Sequence, residues 1–160
     1  MDQLIGKLRG GEVCLGVISV LSSPEMVETI GACGFDYVCI DQMATATDWD
    51  RTAHMVRAAK GAGLSSLVRV EANPWVTKGE FGKIAVECGR ALSLGAAGVM
   101  PSVYSAKELA AVLEAARDAH RMIHVVRLAS DMSNARTLGT TSVPETIVIT
   151  FLESETTVAE

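Results

Sequence analysis

Apolar positions along this chain fall into short dense runs separated by stretches of helical period. The runs are "CLGVISV" (14–20), "YVCID" (37–41), "SLVRVE" (66–71), "GVMPS" (98–102) and "TIVITFLE" (146–153). They are short and largely apolar, which predicts parallel strands buried on both faces rather than half-exposed hairpins. Between them, Ser23 before Pro24 and Glu25 predicts a helix N-cap, with Met26, Val27 and Ile30 on one apolar face and Gly34 as the stop. A second helix is predicted from Asp48 to Lys60, ended by Gly61 or Gly63. In a third, Phe81, Ile84, Ala85, Cys88 and Leu92 recur at helical spacing before Gly95. A fourth opens on a capping box, Ser105 with Glu108, and would bury Leu109, Val112, Leu113 and Ala116.

Strand and helix therefore alternate, which predicts an α/β fold with a parallel sheet and right-handed crossovers, either doubly wound or a barrel. Residues 120–145 break the rhythm. "MIHVVRL" can form an extra strand, whereas "ASDMSNARTLGTTSVP" reads as a loop, long for a compact domain and of the kind that serves either as a lid or as a mobile segment. With 160 residues, the chain is expected to be one domain spanning 1–160. A complete (β/α)8 barrel takes roughly 250 residues, so a barrel reading makes this the N-terminal part of one, about five βα units. Such a partial barrel leaves its first and last strands as unpaired edges. A homo-oligomer that covers them is expected, and a monodisperse monomer in light scattering would contradict it.

The formal net charge is −5 and no basic cluster is present, so nucleic acid is not an expected partner. No run of about 18 apolar residues suggests a membrane span. "MDQLIGKLRGGE" lacks the apolar core of a signal peptide, which makes a cytoplasmic location the expectation. Cys14, Cys33, Cys39 and Cys88 show no C-x-x-C spacing and sit in apolar contexts, so they are read as reduced core residues.

Ligands of parallel α/β folds bind at the carboxyl ends of the strands. The residues there are Ser19, Asp41, Arg69 with Glu71, Pro101 with Ser102, and Glu153. Arg69 carries the most information, because a guanidinium within a buried strand is costly unless paired. It can grip a carboxylate or enolate oxygen of a ligand, or form a structural ion pair with Asp41 or Glu71; the ligand role is preferred. Asp41 and Glu153 could offer oxygen ligands to a hard divalent ion, although spacing alone favours a solvent-exposed Glu153 in an acidic tail. His54 is read as a mid-helix surface or packing residue. His120 and His124 would make a metal pair only on a helix, and the segment reads as a helix end. "GEFGK" (79–83) lacks the spacing of a phosphate loop and is read as a turn into the third helix.

Three stretches carry a family resemblance: "LGVISVLSSPEMVETIGACGFDYVCID", "AAKGAGLSSLVRV" and "LGAAGVMPSVYSAKELAAVLEAAR". From about Leu15 to Arg117 the chain resembles the HpcH/HpaI aldolase and citrate lyase superfamily, as a divergent or truncated member. The resemblance implies a (β/α)8 barrel in an oligomer and a magnesium- or manganese-type ion holding a pyruvate-like enolate. It also implies reversible aldol chemistry on a 2-keto acid. Arg69 matches the family arginine that binds substrate and stabilises its charge. Asp41 matches the aspartate opening the family D-x-E-H motif, and Glu153 matches a metal-binding glutamate. The motif here reads Asp41-Gln42-Met43-Ala44, without the family glutamate and histidine. Arg127 is a loose match to the arginine of a later family loop. The expected function is a lyase with altered catalytic residues; the alternative is a non-catalytic relative that binds a small carboxylate or serves in assembly.

Overall fold

The structure, a computed structural model, describes residues 3–70, 81–103, 123–128 and 147–150. The elements run α1 (Gln3–Arg9), β1 (Gly16–Ser19), α2 (Pro24–Ala32), β2 (Tyr37–Asp41), α3 (Trp49–Gly61), β3 (Ser65–Arg69) and α4 (Phe81–Ser93). Four strands follow: β4 (Gly98–Val99), β5 (Ser102–Val103), β6 (Ile123–Leu128) and β7 (Ile147–Thr150). The helix ends follow from local chemistry. Ser23 Oγ accepts the amide of Met26 at 3.1 Å, and Asp48 Oδ1 accepts that of Arg51 at 2.7 Å. Gly34, Gly63 and Gly95, just beyond α2, α3 and α4, all take positive φ, as chain reversal after a helix requires.

All strand pairs among the described residues are parallel. β4 and β5 pair with β6 at the same offset, Gly98 opposite Ile123 and Ser102 opposite Arg127. They are one strand interrupted at Met100 and Pro101, where proline has no N–H for a ladder. Taken so, the sheet follows chain order from β1 to β7 without reversal. A doubly wound sheet reverses its order at a switch point; this one winds as a barrel does.

Several expectations need correction. β1 is shorter than "CLGVISV", and "GVMPS" is broken rather than continuous. "IHVVRL" forms the extra strand allowed for it, giving six strand positions among the described residues, and His124 lies on that strand rather than at a helix end. The helix α1 has no counterpart among the elements the sequence predicts. Cys33 is exposed at the end of α2 rather than in the core. Glu71, the helix from Ser105, the loop of 129–145, His120 and Glu153 lie outside the described residues.

The helix side of the sheet carries the larger core. Val27 and Ile30 of α2, Met55, Val56 and Ala59 of α3, and Ile84, Cys88 and Ala91 of α4 pack on Val38, Ile40, Val68 and Val99. Arg90 adds a cation–π contact to Trp49, 5.1 Å from the ring centroid, tying α4 to α3. The opposite, inner face holds a second cluster of Cys39, Leu67 and Met100, completed by Leu4 and Ile5 of α1. An ion pair between Lys7 and Asp36 anchors α1. Their hydrogen bond, with the opposite charge behind it, raises the pKa of Lys7 and lowers that of Asp36. Asp36 also accepts the Leu15 amide at 2.8 Å, and its carbonyl accepts the Ser65 amide at 3.1 Å. One residue thus fastens α1, β1 and β3 together.

Candidate functional site at the ends of β2 and β3

Side chains alternate along a strand, so Cys39 on the inner face puts Asp41 there too, and Leu67 does the same for Arg69. The ladder pairs Asp41 directly with Arg69. Arg69 Nε lies 3.4 Å from Asp41 Oδ1, with side-chain exposures of 16% and 2%. The ion pair named above as the alternative reading of Arg69 is therefore present, with Asp41 as its partner. At this distance it is longer than a charge-assisted hydrogen bond of about 2.7–2.9 Å. Arg69 Nε is buried without a hydrogen-bond partner among the described residues.

Asp41 is held by its own turn. Its Oδ1 accepts the amides of Met43 at 2.8 Å and Ala44 at 3.2 Å. Its carbonyl accepts the Thr45 hydroxyl. Thr47 Oγ1 lies 2.9 Å from Thr45 Oγ1, within hydrogen-bond distance, and accepts the Ser22 hydroxyl at 2.6 Å. This hydroxyl chain joins the loop after β1 to the loop after β2. On the helix side, Gln42 Nε2 donates to Thr52 Oγ1 at 2.8 Å, leaving Gln42 Oε1 buried and unpartnered among the described residues.

Asp41 and Arg69 are brought together, and Ser19 is not placed with them; Glu71 and Glu153 lie outside the described residues. Ser19 pairs with Ile40 of the helix-side core and donates to the Leu21 carbonyl at 3.1 Å, away from the inner face. His54 is on the surface beside Asp50, as expected. The sequence analysis does not single out Thr45, Thr47 or Ser22, and it names Gln42 only as a position of the altered motif. The small polar run "ATATD" after a strand is the only signal for Thr45 and Thr47, and it reads as an ordinary turn. The layer beneath the pair is inert, since burial, reinforced by the Asp41 charge, pushes the Cys39 thiol up to about 12.

The described residues do not fit a magnesium- or manganese-type ion by themselves. No group of three His, Cys, Asp or Glu converges among them. Asp41 Oδ1 is engaged by two amides and faces a guanidinium, whereas a hard cation needs oxygen donors turned towards one point.

No protein-family model matches the chain, and no curated protein sequence matches it. Solved structures do. An HpcH/HpaI aldolase from Desulfitobacterium hafniense DCB-2 superposes with a TM-score of 0.68 at 19% identity, over 92% of this chain and 66% of that one. The citrate synthase SbnG gives 0.66 at 22% identity, over 85% and 59%. Macrophomate synthase gives 0.64 at 16% identity, over 94% and 60%. The chain thus spans 59–66% of the length of these structures. Their names carry different reactions, and a shared barrel does not select among them. The likeness agrees with the resemblance read in the sequence: the chain has the α/β barrel-type fold found in HpcH/HpaI aldolases.

Proposed function

We propose that the chain is the N-terminal part of a (β/α)8 barrel of the HpcH/HpaI type, a divergent or truncated member of that superfamily. Residues 1–160 act as one cytoplasmic domain whose strand ends bind a pyruvate-like 2-keto acid for carbon–carbon cleavage or formation. The observation that carries this is the Asp41–Arg69 pair at the carboxyl ends of adjacent strands, with Arg69 Nε buried and lacking a hydrogen-bond acceptor among the described residues. A guanidinium facing one carboxylate at 3.4 Å keeps donors for a second acid, that of a ligand. In this role Arg69 binds the substrate carboxylate or enolate oxygen and stabilises the charge that develops there. Asp41 fixes the arginine, itself fixed by the amides of Met43 and Ala44.

Glu153, in the role of metal ligand for a magnesium- or manganese-type ion, belongs to the same proposal. The described donors do not support a metal centre on their own, and no step is routed through one. Aldol cleavage also needs a group that takes the substrate hydroxyl proton. Neither Met43 nor Ala44 can do so, and a positioned base contributes about 10²–10⁴-fold. That observation favours a second reading, carboxylate binding without turnover. Homo-oligomerisation is part of either reading. Leu15, Ile18, Val20 and Leu21, on and beside the edge strand β1, are all at least 49% exposed.

Pyruvate release from 4-hydroxy-2-keto acids, followed with and without Mg²⁺ or Mn²⁺, tests the lyase reading. Turnover above buffer that disappears in Arg69→Met is the expected result. Binding without turnover selects the second reading, and absence of both overturns the proposal.

A further inference from the structure

We propose that α1 is a releasable plug over the inner face of the sheet, latched by the Lys7–Asp36 ion pair. The proposal does not rest on the lyase reading. Seven residues are too few to hold a helix in isolation, so α1 persists through what it touches. Leu4 and Ile5 are 1% and 8% exposed and complete the inner cluster with Cys39, Leu67 and Met100. Lys7, one turn further along, reaches Asp36 from a side chain that remains 44% exposed. A seven-residue helix seated by Leu4 and Ile5, with Leu8 packed partly buried beside them and an ion pair that solvent reaches, is a unit that opens locally, before the main core does. Its seat is directly below the candidate site. Cys39 and Leu67 precede Asp41 and Arg69 by two residues on the same face of β2 and β3, so lifting α1 uncovers the layer supporting the ion pair.

Two cysteines report on this separately. Cys39 and Cys88 are both fully buried, and burial raises both thiols to about 12. They nevertheless lie in different cores, Cys39 beneath α1 and Cys88 between α4 and the sheet. Alkylation by iodoacetamide, resolved site by site by mass spectrometry, therefore distinguishes plug release from general unfolding. Exposed Cys33 provides the fast reference.

In Leu4→Ala, Cys39 is expected to label on the order of 30-fold faster than in the wild type, with Cys88 unchanged, because a buried anchor is lost. In Asp36→Asn the latch loses its charge while an acceptor remains for the Leu15 amide, and Cys39 should label about two- to fivefold faster. Should Leu4→Ala fail to fold, Asp36→Asn carries the test. Parallel acceleration of Cys39 and Cys88 would overturn the proposal, as would unchanged Cys39 labelling in Asp36→Asn.

Discussion

Replacing Asp41 with alanine is expected to destabilise the fold by about 3–5 kcal/mol, the cost of leaving one member of a buried ion pair without the other. Asp41 is 2% exposed and Arg69 16%, so water can replace little of the lost carboxylate. The substitution also strips an acceptor from the amides of Met43 and Ala44. Asp41→Asn keeps an acceptor for those amides and loses only the charge, so it should fall between wild type and alanine. The double variant Asp41→Ala with Arg69→Met should recover much of the loss, because no charge is then stranded. Urea denaturation of the four proteins measures this. A change below about 1 kcal/mol in Asp41→Ala would mean that Arg69 has another strong partner.

Gly31→Ala is expected to destabilise by about 1–3 kcal/mol, against the usual sign. In a helix interior, alanine exceeds glycine by roughly 1 kcal/mol. Here a Cβ on Gly31 would lie 2.6 Å from Ala62 Cβ and 2.9 Å from the Ala62 carbonyl oxygen, where α2 meets the end of α3. The second contact is with backbone, so no side-chain rotation relieves it. Ala62→Gly in the same chain should therefore rescue only part of the loss. Thermal unfolding of the two single variants and the pair gives the answer. A Gly31→Ala protein more stable than wild type would show that the helices separate without cost.

The legible parts of this fold were those fixed by local chemistry. Ser23, Asp48, Gly34 and Gly63 mark helix ends because capping and positive φ are decided within a few residues. The apolar runs located strands because both faces of a parallel strand are buried. Elements that depend on distant partners were missed or blurred. α1 has little intrinsic signal and exists through Leu4, Ile5 and Lys7, whose partners lie beyond residue 30. The sequence does not decide the strand at Ile123–Leu128, because a six-residue apolar run fits several structures until its neighbours in the sheet are known. At the site, Asp41 and Arg69 were legible as strand-end residues of unusual cost. Their direct pairing across the ladder needed the register. Thr45 and Thr47 stay hidden because nothing in a turn sequence shows which hydroxyl bonds to which.

The central claim is that Arg69, held by Asp41, is the anchor for a small carboxylate at the ends of β2 and β3. Calorimetric titration with oxalate, a compact analogue of a pyruvate enolate, tests it most directly, with pyruvate as a second ligand and Mg²⁺ added or withheld. The account predicts saturable binding by the wild type and at least a tenfold loss in Arg69→Met, with Lys60→Met, at an exposed position in the last turn of α3, as a charge-matched control that binds normally; a tenfold loss corresponds to about 1.4 kcal/mol. Equal affinity in the wild type and Arg69→Met, or no heat from the correctly folded wild type, would contradict it.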